Sequence, residues 1–77
     1  MSVTHAQYAS TKAAERIAAI TEWAKRQPEP FDVEECRARF SLRTEYTRAL
    51  IRQLLGSGAL TLAGEGDRGQ ALYRRAT

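Results

Sequence analysis

The chain holds one cysteine, Cys36, so no disulfide can form within it, and a reduced thiol suits a reducing compartment. Its one histidine, His5, together with a distant cysteine, does not supply the four-ligand spacing of a zinc site. No apolar run approaches the roughly 18 residues of a membrane span. The opening MSVTHAQYAS lacks the basic-then-apolar order of a secretory signal. These absences lead to the expectation of a cytoplasmic, non-membrane protein with no cofactor and no metal. Catalytic pairs are missing as well. Glu34 and Glu35 are adjacent on a helix and point about 100° apart, a poor geometry for acid–base work. Cys36 falls on the inner side of a short helix, as a small hydrophobe does. No enzymatic activity is expected.

Lysine is absent after residue 26. Residues 1–35 carry four cations against six carboxylates, a net of −2, whereas residues 36–77 carry eight arginines against three carboxylates, a net of +5. Arginine suits phosphate because its planar fork offers two parallel donors. Seventy-seven residues make one domain, too small to spare a large pocket from its core, which favours a surface function such as binding. The domain is expected over 10–77, preceded by a flexible arm over 1–9 that shows no periodicity.

Helical spacing predicts a first helix over about 11–26, with Ser10 or Thr11 as cap and Ala13, Ile17, Ile20, Trp23 and Ala24 on its apolar side. QPEP at 27–30 ends it, since proline lacks a donor and restrains the residue before it. Asp32 caps a short helix over 33–40. Glu35 completes a capping-box spacing, and Phe31 and Cys36 stand at the two staple positions. That helix turns Val33, Cys36 and Phe40 inward. After the tight connection SLR at 41–43, a third helix spans about 44–55 with Thr47, Leu50, Ile51 and Leu54 as its inner stripe. GSG at 56–58 ends it. ALTLA at 59–63 alternates as a half-buried strand, with Leu60 and Leu62 on one side, and QALYRR at 70–75 is a second strand.

GEGDRG at 64–69 has the G-x-G-x-x-G spacing that cradles a dinucleotide pyrophosphate. That site needs a helix after the loop, to present free amides and a dipole to the phosphates. Here a second strand follows, and Glu65 and Asp67 would repel the anion. A hairpin loop is the reading that fits, with glycines supplying positive φ and Arg68 at the tip.

The chain is thus expected to be mainly α with a small β-hairpin. In this order, residues 31–75 resemble the winged helix-turn-helix family. The segments Ile51 to Leu54 and Gly58 to Leu60 match the place where a recognition helix turns into a wing. The resemblance implies three helices plus a C-terminal two- or three-stranded antiparallel wing. It also implies a sequence-specific duplex DNA-binding protein, nucleoid-associated and acting as a small transcriptional regulator. The third helix would enter the major groove, and the 64–69 loop would serve as the wing. By position, Thr44, Glu45, Arg48 and Ala49 would face the groove, with Arg52 further along. Arg48 would read guanine, Glu45 a cytosine amine and Ala49 a thymine methyl. Arg43 and Arg68 would grip phosphate, with Arg37, Arg39, Arg74 and Arg75 adding to the field.

Two positions depart from the family. Arg43 stands where a capping hydroxyl is usual, so that either Thr44 caps or the helix starts poorly. Thr47 stands where valine is usual, and its hydroxyl needs a carbonyl. Plainer readings stand beside these assignments: Arg48 and Arg52 as a solvated helix face, Glu45 as a dipole complement, and Tyr46 and Tyr73 as the edge of the core. The alternative function is a winged-helix protein–protein interaction module within a larger assembly. A homodimer, formed through the apolar side of the first helix, would suit paired half-sites.

Overall fold

The computed structural model describes residues 5–76, with side chains from residue 12 onward. Residues 1–4 of the expected arm therefore lie outside the described residues. Helix α1 runs His5–Lys25, so it begins well before the expected start and takes in residues 5–9. Ser10 and Thr11, expected as caps, lie inside it. The segment from Ala6 to Ala14 is rich in alanine and other good helix formers, whose propensity needs no periodic apolar stripe to show itself. At the other end the helix closes as expected. The Arg26 and Gln27 amides donate to the Trp23 and Ala24 carbonyls, and Pro28 and Pro30 bar continuation. No helix among the described residues is long and apolar enough to cross a membrane.

Helix α2 spans Val33–Phe40 and α3 spans Thr44–Ser57. Asp32 caps α2 through a 2.8 Å hydrogen bond from the Glu35 amide to its Oδ1. Arg43 is the N-cap of α3 and makes no side-chain cap bond, while Thr44 is the first helical residue. Thr44 therefore does not cap. Thr47 finds its carbonyl: its hydroxyl donates to the Arg43 oxygen at 2.8 Å, from a fully buried position. The inner stripe of Thr47, Leu50, Ile51 and Leu54 is buried in full, as its spacing predicts.

Both α2 and α3 end in the same double closure. The Ser41 amide bonds to the Ala38 carbonyl and the Leu42 amide to that of Arg37. Likewise Gly58 bonds to Leu55 and Ala59 to Leu54. The geometry requires a left-handed residue, which is Gly58 (φ 84°) after α3 and Ser41 (φ 52°) after α2. A Cβ in that conformation is strained.

Strand β1 is Leu60–Glu65 and β2 is Ala71–Arg75, antiparallel, with Leu60 opposite Arg75 and Leu62 opposite Tyr73. A register shift then leaves Ala63 as a bulge before Gly64 pairs with Leu72. Phe31 adds one rung on the far side of β2. Its amide donates to the Tyr73 carbonyl at 2.9 Å, and the Tyr73 amide donates back at 2.7 Å.

The core gathers Ile20, Ala24, Cys36, Leu50, Ile51, Leu54 and Leu60 from all three helices and β1, with Phe31 from the link before α2. Each large member stabilises by roughly 1.5–3 kcal/mol through burial. Trp23 packs edge-on to Phe31 at 4.6 Å and to Phe40 at 5.9 Å, as expected for the apolar side of α1. Leu62 departs from expectation. It falls in the same alternation as Leu60 along β1, yet is 61% exposed, even though Tyr73 opposite it packs against the core.

Replacing Ser41 by glycine is expected to stabilise the fold by about 0.5–1 kcal/mol, by removing the Cβ from a left-handed position. Urea unfolding checks this. A lower midpoint for Ser41→Gly would show that the serine side chain contributes a contact of its own.

Candidate nucleic-acid interface

Glu45, Arg48, Ala49 and Arg52 are exposed on α3 on the side away from its buried stripe, with Thr44 exposed on the flank and Arg43 exposed at the N-cap. The structure brings three of the expected residues to one place. Thr44, Arg48 and Arg68 line a cavity of about 290 Å³ between the starts of α2 and α3 and the hairpin, with Gln70 and Tyr73 on its hairpin side. Arg48 and Arg52 line a neighbouring cavity of about 180 Å³, together with Val33, Leu55 and Tyr73. Arg43, Glu45 and Ala49 line neither.

The cations differ in their company. On α1 and α2, Lys25 pairs with Glu22 at 3.1 Å and Arg37 with Glu34 at 2.6 Å, each across three residues. Among the described residues, no carboxylate pairs with Arg43, Arg48 or Arg52, even though Glu45 stands three residues before Arg48. Arg37 was expected to add to the outward field and does not. It makes two hydrogen bonds to Glu34 and a third, at 3.3 Å, to the Leu42 carbonyl. The hydrogen bond from Arg37 is the first cause that holds the Glu34 carboxyl below its ordinary range. Arg39 lies 5.3 Å over the Phe40 ring. Arg74 and Arg75 are exposed on the half of β2 that pairs with Leu60 and Thr61, away from the tip, beside Pro28 and Glu29.

The hairpin loop is a built turn. The Gly66 amide donates to the Gln70 carbonyl at 2.8 Å, and the Gly69 amide to the Gly66 carbonyl at 3.0 Å. Gly69, with φ 78°, takes the left-handed position. Gly66 does not need positive φ; it is small because the Gln70 side chain lies where a Cβ would project. That amide in turn accepts the Arg68 backbone N–H at 2.9 Å through its Oε1. Gln70 thus fixes the backbone that presents Arg68, a role that sequence spacing did not reveal. The strand that follows the loop leaves no helix N-terminus for a pyrophosphate.

The remaining candidates are structural. Cys36 is buried, and burial pushes its thiol up to about 11. Tyr46 is half-buried, and its hydroxyl accepts from Arg16 at 3.3 Å while the guanidinium sits 5.3 Å over its ring. Tyr73 packs against the core, 6.3 Å from Phe31.

Comparison of the chain with protein-family models, with curated proteins and with solved structures finds no match.

Gly66→Ala is expected to displace the Gln70 amide at a cost of no more than about 1.5 kcal/mol, the value of one hydrogen bond. The Arg68 amide then exchanges with solvent several-fold faster. Unchanged exchange at Arg68 would show that Gln70 does not hold the turn.

Proposed function

We propose that the chain is a winged helix-turn-helix domain that binds duplex DNA sequence-specifically, as a small transcriptional regulator. The element order supports this reading: three helices, then an antiparallel hairpin, with Phe31 adding a rung to β2. The observation that carries it is the unpaired outward face of α3. Arg43, Arg48 and Arg52 project to solvent without carboxylate partners among the described residues, on a helix whose other side is locked into the core. Unpaired arginines can approach phosphate without first breaking an ion pair. A 14-residue α-helix is about 21 Å long and of a width the major groove admits. Arg68 at the hairpin tip then reaches the adjacent backbone.

A second reading, docking of a protein partner, is favoured by the exposure of Leu62 and by the apolar floor of Val33, Leu55 and Tyr73 beneath Arg48 and Arg52. A mobility shift with mixed genomic fragments at low salt separates the two. A shift favours DNA, and its absence counts against the DNA reading.

Neutralising about five phosphates per protomer makes log affinity fall with log salt at a slope near −4 to −5. Titrations between roughly 50 and 300 mM salt measure it, and a flat response over that range rules out the electrostatic mechanism. Arg48→Ala is expected to cost about 1–3 kcal/mol and to relax base preference, whereas Arg68→Ala weakens all sequences alike. Equal, sequence-blind losses from both would remove Arg48 from base reading.

A further inference from the structure

Arg68 already has an anion beside it. Its Nη2 lies 3.9 Å from Oδ2 of Asp32. The two groups are placed very differently: the Asp32 side chain is 9% exposed and that of Arg68 79%. Asp32 is fixed in direction, because Oδ1 accepts the Glu35 amide while Oδ2 is turned to the hairpin. The Arg68 backbone is fixed too, by Gln70 and by the turn between Gly66 and Gly69. Only the arginine side chain retains freedom, and it lies between a pinned carboxylate and open solvent. Glu34 lines the same cavity. Its carboxyl is lowered first by Arg37 and, as the smallest contribution, by Arg68, so a second negative group feels the same guanidinium.

We propose that Asp32 is a positioning residue for Arg68: it draws the hairpin's guanidinium toward the start of α2 and competes with a DNA phosphate for it. This rests on the DNA-binding reading above. Asp32 thus has two roles on two oxygens, closing the first turn of α2 and restraining the wing's cation. Arg68 reaches a phosphate only by exchanging one anion for another. The pair is mostly solvated on the arginine side, so the competition amounts to about five-fold in affinity at most.

The test is Asp32→Asn. Asparagine caps a helix as well as aspartate does, so the fold is kept while the charge is removed. Asp32→Ser, which also caps, is the second variant should the first be unstable. Removing a carboxylate near DNA strengthens binding in any case, so each variant is also made with Arg68→Ala, which isolates the part that acts through Arg68. The expected result is a gain of about two- to five-fold in affinity for random duplex with Arg68 present, and a gain at least about two-fold smaller with alanine there. Equal gains in the two backgrounds, or a loss of affinity with Arg68 present, overturn the proposal.

A second readout needs no DNA. The Arg68 Nε–Hε resonance of the free protein is expected to shift in Asp32→Asn and to stay in place in Glu35→Gln. A resonance unmoved by Asp32→Asn overturns the contact itself. Failure of the wild-type chain to bind any duplex overturns the DNA reading and the competition with it, and a shifted Arg68 resonance then still marks the contact as real.

Discussion

The junction at Phe31 and Asp32 holds the molecule together. Phe31 is buried, makes two backbone hydrogen bonds with Tyr73 and meets Trp23 edge-on. One residue thereby ties α1 to the hairpin. Asp32, next in the chain, starts α2 with one oxygen and faces the hairpin tip with the other. These two positions determine where the hairpin lies relative to the helices. Leu60 anchors β1 in the core from the other strand, so the hairpin is held on both of its strands rather than standing as a free two-stranded ribbon of marginal stability. The cavity shared by Arg48 and Arg68 exists because this junction brings the returning strand back beside α2 and α3.

The two faces of α3 divide the work. The buried stripe, Thr47 included, is fully satisfied; no buried side-chain nitrogen or oxygen among the described residues lacks a partner. The outer face keeps its arginines without carboxylate partners among the described residues, while Lys12, Lys25 and Arg37 on α1 and α2 are matched with carboxylates three residues away and Arg16 and Arg39 lie against aromatic rings. Surface pairs of that kind add little stability, about 0–1 kcal/mol each. Leaving α3 without them costs the fold little and concentrates uncompensated positive charge on one side of one helix.

Much of this was legible in the sequence, because the relevant signals are local. The stripe from Thr47 to Leu54 follows helical spacing, the bounds of α2 follow from Asp32 and Glu35, and the hairpin follows from glycines between alternating segments. The Glu34–Arg37 pair is legible too, since three-residue spacing places them side by side, and it takes Arg37 out of the group of arginines expected to add to the field. Other features depend on distance in space. Alternation puts Leu62 on the same side as Leu60 but does not say how fully the rest of the chain covers each of them. Ser41 adopts the left-handed position because the short link from α2 to α3 demands it, although serine gives no sign of this preference. The approach of Gln70 to Gly66, and that of Arg68 to Asp32, appear only once the chain is folded.

The bulge at Ala63 also bears on how copies of this chain meet. β1 hydrogen-bonds on one side only and leaves its other margin open. A straight open margin invites a second ribbon to add to it and grow into an aggregate. The extra residue interrupts the regular repeat of donors and acceptors part-way along, and Glu65 places negative charge at its end. Among the described residues the repeat along that margin is thus broken beside the exposed Leu62, which shortens the ladder a second strand would extend.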